Sequence, residues 1–335
     1  MMQQALLWLA CGAGMLAAGW GAAALAHQCP GPRALRRWAA ALWLAAALTL
    51  VLLAGSTGRL YWLSAYAVAL AALFGWWSEL APSNRRDWAE EVARMVTGRV
   101  HDGQVTLHNV RNFQWRARHD YQARWETRQY DLHALRTVDL LASHWMGPAI
   151  AHTLVSFGFA DGRHLVFSVE IRRERHEAFS PVGGFFKQYE ACIVAADERD
   201  IVRVRTNIRR EDVYLYRVHM PADTMRSLFL AYVEQANRLA HTPRFYHTLT
   251  ANCTTIVYHM ARRLVRGLPL NWRLVLSGYL PGYLHRLGAL EPGWELHALR
   301  AAGYLNPRAQ AADQAEDFPA RIRAGVPGHE PAAAR

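Results

Sequence analysis

The chain has 335 residues, a formal net charge of +11 and only four cysteines, with 52% hydrophobic residues and a mean hydropathy close to zero. Cys11, Cys29, Cys192 and Cys253 are scattered through unlike surroundings, which argues against a disulfide-framed scaffold. The length suits one sizeable domain joined to a much more apolar part. The charge comes almost wholly from arginine, Lys187 being the only lysine; arginine clusters suit anionic phospholipid surfaces, and a GC-rich coding bias accounts for much of the excess.

In chain order, the apolar part comes first. Ala5 to Ala26 has no charge and is long enough to span a bilayer; Trp38 to Ala54 and Leu60 to Trp77 are two further candidates. No Lys or Arg precedes the first run, so a cleaved signal peptide fits poorly. The expectation is a membrane region over 1–81 with about three transmembrane helices. Arg33, Arg36 and Arg37 between the first two runs, and Arg85 and Arg86 after the third, both favour the cytoplasm by the positive-inside tendency.

From Pro82 the composition turns polar. Asp87 to Met95 reads as a short surface helix and Val105 to Val110 as a strand. Phe113 to Tyr130 interleaves Trp115, Tyr121 and Trp125 with arginines. That pattern can stack on nucleic acid, but after apolar spans it suits lipid headgroups or plain packing better, and no nucleic-acid partner is expected. Val138 to Trp145 reads as a strand, and Gly183-Gly184 as a loop rather than a phosphate cradle. Ile201 to Thr206 and Val213 to Val218 alternate as two more strands. Pro221 to Leu239 repeats apolar residues at helical spacing. Asn271 to Leu287, apolar and aromatic, could cover the site or touch the membrane, and reads as core packing first. The stretch 306–335 is Ala, Gly, Pro and charge, and reads as a disordered tail. Hairpin, strands and helices in this order give an α+β domain over 82–305.

Two stretches carry candidate chemistry. Ala149 to Phe159 and His164 to Ile171 flank an Asp161-Gly162 turn, a hairpin signal. With Asp161 at the centre of a three-residue loop, the pairing puts His152 opposite Glu170 on one face. A histidine oriented by a carboxylate is the arrangement of a general base. Thr250-Ala251-Asn252-Cys253-Thr254-Thr255 then leads into apolar residues at helical spacing, so Thr250 or Asn252 caps a helix and Cys253 sits in its first turn. The helix dipole there favours thiolate. Cys253, His152 and Glu170 form a nucleophile, base and orienter set, with Asn252 and Ser168 in support. Ser168, Glu174 and Asn252 remain alternative orienting groups.

Gly147-Pro148-Ala149-Ile150-Ala151-His152-Thr153 and Leu249-Thr250-Ala251-Asn252-Cys253-Thr254-Thr255 resemble the Lnb-type periplasmic domain family. Through it the chain is similar to permuted papain-like (NlpC-type) thiol enzymes, in which a strand histidine precedes a helix-start cysteine, an order shared by the lecithin:retinol acyltransferase group. The resemblance runs from about Pro82 to Pro281. It implies an antiparallel sheet with packed helices, facing the periplasm at a bacterial inner membrane. It also implies a thiol acyltransferase moving an acyl chain from membrane phospholipid to the amino terminus of a lipoprotein. That orientation is at odds with the arginine count.

Three rival readings stand beside it. A papain-like amidase or peptidase would use the same acyl-enzyme with water as acceptor, and a membrane-tethered binding module would use no chemistry. His144, His152, His164 and Glu170 invite a zinc site, but no metal-ligand spacing supports one and no cofactor is expected. A Cys192–Cys253 disulfide would abolish the thiol chemistry.

Overall fold

The uninterrupted apolar runs at the start of the chain become three helices, α1 (Met2–Gln28), α2 (Arg33–Thr57) and α3 (Tyr61–Glu79). The structure, a computed structural model, describes residues 1–329. Gln4–Gln28 and Arg33–Thr57 are long and apolar enough to cross a membrane. The third expected span is a shorter helix whose Tyr61, Trp62, Trp76 and Trp77 ends lower its hydropathy, and it does not meet that measure. The small residues Ala18, Ala47 and Ala54 are buried in this unit. The Tyr66 hydroxyl donates to the Gly14 carbonyl at 2.9 Å and the Trp43 indole to that of Ala18 at 3.1 Å. The segment Phe179–Tyr189 belongs to the same unit. There Phe186 stacks on His27 and the Lys187 ammonium donates to the carbonyls of Trp77 and Leu80. Gly183-Gly184, expected as a loop, thus sits in a 3₁₀ turn with both glycines buried.

The second unit holds Asn84–Ala178 and the chain from Glu190 onward. Its strands are β1 (Thr97–His101), β2 (Gln104–Arg111), β3 (Gln114–Ala117), β4 (Asp120–Gln122), β5 (Trp125–Asp131), β6 (Leu135–His144), β7 (Ala151–Phe159), β8 (His164–Arg172), β9 (Glu190–Asp197) and, after α4 (Glu198–Arg203), β10 (Asp212–Val218). Then come the helices α5 (Ala222–His241), α6 (Thr255–Leu264), α7 (Leu280–Arg286), α8 (Leu296–Gly303), α9 (Asn306–Ala312) and α10 (Phe318–Arg323). Among the described residues one eight-stranded sheet runs β1-β2-β9-β8-β7-β6-β10, with β5 also on β2. The fold is α+β. The sheet is mixed rather than wholly antiparallel, because β2 meets β9 in parallel at Arg111 and Ala196.

Helix α5 covers one face of this sheet. Its Phe229 ring meets Phe157 at 5.1 Å and Phe167 at 5.3 Å, and Tyr232 stacks on Phe167 at 4.9 Å. Period 3.6 on the helix and period 2 on the strands make these two faces meet.

Three expectations change. Asp87 to Met95 forms only a 3₁₀ turn, Glu90–Val92. Ile201 to Thr206, read as a strand, is helical: α4 continues into a π-helical turn over Val204–Ile208. Asp197 caps it through the Arg199 N–H, and the alternating arginines are buried against carboxylates instead of pointing to solvent. The aromatics of 113–125 follow the plain-packing reading instead of the lipid one: Phe113 and Trp115 are buried, and the Trp115 indole donates to Asp200 at 2.7 Å. The expected disordered tail is folded from Asn306 to residue 329; Phe318 and Ile322, one helical turn apart, and Val326 just beyond the helix are buried. Residues 330–335 of that tail lie outside the described residues.

Candidate active site

The hairpin of β7 and β8 closes as the sequence predicts. The Phe159 N–H donates to the Arg163 carbonyl at 2.9 Å, and Gly162 takes the left-handed conformation, φ +82°, that its turn requires. Leu154 pairs with Ser168 and Gly158 with His164. The same register brings His152 and Glu170 together, with Nε2 3.1 Å from Oε1. Ser168, on the same face, stands between them: its Oγ is 2.6 Å from His152 Nε2 and donates to Glu170 Oε1 at 2.7 Å. Ser168 and Glu170 therefore orient the ring jointly. With Nε2 so engaged, Nδ1 is the nitrogen left for the thiol.

Cys253 arrives from the other side of the sequence. Asn252 Oδ1 accepts from the N–H groups of Thr254 and Thr255 at 2.9 and 2.8 Å, and its amide donates to the Thr248 carbonyl at 2.6 Å. Asn252 is thus the capping side chain. Regular α6 begins at Thr255, so Cys253 lies in the turn just before it rather than inside its first turn. The thiol is buried, with its sulfur 3.9 Å from the Thr254 hydroxyl and under the influence of His152. Burial alone would raise its pKa; His152, first through its charge, and then Thr153 outweigh that and hold it at about 7. Burial likewise opposes a charged His152, but Glu170 prevails and raises it to about 9. Glu170, despite its burial, is held well below the usual carboxylate range by His152 and Arg205.

Arg205, from the π-helical turn after α4, was not visible as a site residue in the sequence. Its Nη2 lies 3.0 Å from Glu170 Oε1 and its Nη1 3.0 Å from Glu211 Oε2, which also accepts from the Ser143 hydroxyl. One guanidinium thus joins the carboxylate behind His152 to a second, partly buried carboxylate. Tyr246 was missed too. Burial, then the charge of Cys253, keeps its phenol protonated well above its ordinary range.

Between pH about 7 and 9 this set holds Cys253 as thiolate and His152 as imidazolium. A rate that needs both rises through about 7 as the thiol loses its proton and falls through about 9 as the ring loses its own. The positive charge of Arg205 disfavours the imidazolium and is itself favoured by the thiolate. Arg205→Met is therefore expected to move both limbs to higher pH, by on the order of one unit for a Coulomb interaction at an effective dielectric near 20. Arg205→Lys should restore the limbs more than the rate, since lysine keeps the charge but not the fork. A pH–rate profile with unmoved limbs would reduce Arg205 to a structural role.

The rival arrangements do not assemble. Among the described residues no group of three or more His, Cys, Asp or Glu side chains is placed to hold a metal, so His144 and His164 do not join His152 and Glu170. His164 turns back onto the Gly162 carbonyl at 3.1 Å, at the far end of the hairpin. All four cysteines are free among the described residues, Cys192 and Cys253 included. Glu174, an alternative orienter, pairs with Arg86.

Compared with known families, residues 121–278 match the Lnb N-terminal periplasmic domain. The matched stretch holds His152, Ser168, Glu170, Arg205, Asn252 and Cys253, and covers just under half of the chain. No curated protein and no solved structure gives a match. The family match and two N-terminal helices able to cross a membrane together fit a membrane-anchored protein with a periplasmic domain.

Proposed function

We propose that this chain is a membrane-anchored thiol acyltransferase that moves an acyl chain from phospholipid to the amino terminus of a lipoprotein, on a papain-like scaffold at the bacterial inner membrane. The observation that carries the reading is the Cys253 thiol, held near pH 7 against a histidine that Ser168 and Glu170 orient. The Cys253 thiolate attacks the ester carbonyl of the donor; a C–S bond forms, and the carbonyl oxygen takes up charge within reach of the protonated Tyr246. The ester C–O bond then breaks and the leaving alkoxide takes the proton of His152. In the second half the acceptor amine attacks the thioester, His152 takes the amine proton, and C–N formation expels the thiolate. No cofactor enters either half.

Two spans also ease the conflict over orientation. If α1 and α2 cross and α3 does not, Arg33, Arg36 and Arg37 face the cytoplasm and the chain after α2 is outside it. A reporter enzyme fused at the C-terminus reads the side directly. Activity only in the cytoplasm would make lipoprotein N-acylation untenable.

The chemical test uses the full chain in vesicles with a phospholipid labelled in its acyl chains and a lipoprotein peptide with a free amino terminus. The expected result is a hydroxylamine-labile acyl adduct on Cys253 whose label passes to the peptide amine. Label released only as free fatty acid would make the protein a hydrolase, and absence of any adduct would end the thiol reading.

A further inference from the structure

We infer that the surface formed by 262–279 beside the 145–151 loop docks onto an anionic phospholipid bilayer and presents the mouth of the Cys253 site to it. This rests on the acyl-transfer reading only for its purpose, since the surface itself stands on other observations. From Gln235 to Leu290 the sequence has seven arginines and not one carboxylate side chain. Elsewhere in this unit arginines are repeatedly matched to carboxylates; here Arg262, Arg263 and Arg266 are exposed and make no ion pair among the described residues.

Among these charges lie apolar side chains that a water-facing surface would not choose. Leu270 is 74% exposed and Trp272 53%, and Val275, Leu276 and Tyr279 are exposed with them. Trp272 and Tyr279 meet edge to face at 5.3 Å, with the Arg273 guanidinium 4.4 Å over the Trp272 ring. Paired aromatics with arginine suit the zone between headgroups and acyl chains, where rings with a polar edge settle.

The patch is fixed to the site. Ser277 Oγ donates to the Ala151 carbonyl and accepts from the Ala151 N–H at 3.0 Å, and the Gly278 N–H donates to the Ala149 carbonyl at 2.9 Å. A side chain at Gly278 would strike the Pro148 carbonyl, so only glycine allows this approach. Ala151 precedes His152, and the exposed Trp145 and Met146 enter the same loop. A bilayer, apolar inside and anionic at its face, matches both halves of this surface. A protein partner would have to supply carboxylates and an apolar patch in the same alternation.

The test is hydrogen–deuterium exchange of the full chain in nanodiscs of phosphatidylglycerol or of phosphatidylcholine, followed on peptides covering 262–279. Exchange several-fold slower in the anionic discs is expected, with the difference shrinking at high salt. Arg262→Gln/Arg263→Gln/Arg266→Gln should weaken the protection through charge alone, and Trp272→Ser/Leu276→Ser through apolar contact. All five side chains lie on the surface, so folding is spared. Equal exchange in both discs, or protection that appears only on adding the lipoprotein peptide, overturns the inference. No turnover is required, so protection without acyl transfer would separate this surface from the chemistry proposed above.

Discussion

Cys253→Ser is expected to abolish acyl transfer, by about 10⁴-fold or more, while leaving the thermal midpoint unchanged. The substitution is nearly isosteric, and a serine hydroxyl beside His152 has no access to the ionised state that holds the thiol near pH 7. His152→Ala should cost about 10²–10⁴ through the lost proton transfer. Its loss also returns the thiol upward, because the ring is the chief influence lowering it against burial. Glu170→Gln should cost less, since Ser168 still holds Nε2 at 2.6 Å and the amide leaves the ring in place without stabilising its charge. Combined with His152→Ala, Glu170→Gln should then change almost nothing, because its effect runs through the ring. Independent, multiplicative losses in the double variant would confine Glu170 to structure and leave Ser168 as the orienter. Full activity in Cys253→Ser would remove the thiol mechanism altogether.

How much of this site was legible in the sequence depended on whether the deciding contact was local. The pairing of His152 with Glu170 follows from one turn: Asp161-Gly162 sets the hairpin, and the period of two does the rest. The capping role of Asn252 was equally local, being written in the three residues after it. Arg205 was not legible. Its alternation with Val202 and Val204 imitates a strand, and only the distant carboxylates of Glu170 and Glu211 explain why an arginine can be buried on a helical turn. The single parallel contact of β2 with β9 was hidden for the same reason, since nothing near Arg111 or Ala196 records it. The last helices were obscured by composition. Ala, Gly, Pro and charge dominate after Tyr304, and the spaced Phe318, Ile322 and Val326 are outnumbered. What holds that segment down is again a distant pairing, and it can be tested.

Arg323→Met is expected to destabilise the protein by about 3–5 kcal/mol, the usual cost of removing one partner from a buried ion network. Arg323 comes from α10, in the stretch that composition marks as dispensable, and it is buried. Its Nε and Nη2 reach Asp139 Oδ2 at 3.0 and 2.9 Å, and its Nη1 and Nη2 reach the two oxygens of Glu198 at 2.7 and 2.6 Å. Both carboxylates are fully buried, on β6 and α4. Asp139 would keep Arg217, at 2.8 Å, but Glu198 would keep only the Ser156 hydroxyl, at 2.6 Å. A methionine fills the volume and supplies no charge, so Glu198 must take up a proton or draw in water, and either is unfavourable in the fold. The thermal midpoint should fall by roughly 10 °C, at about 2–4 °C per kcal/mol for a unit of this size. Arg321→Met, two residues away on the same helix and so on its other side, is the control. Its partner Asp317 is half exposed like itself, and such a pair contributes about 0–1 kcal/mol. Adding Glu198→Gln to Arg323→Met should recover part of the loss, because the orphaned charge is what costs most. Equal midpoints for Arg323→Met and Arg321→Met would show that the network under the sheet does not hold the end of the chain, and that burial of Phe318 and Ile322 alone keeps it folded.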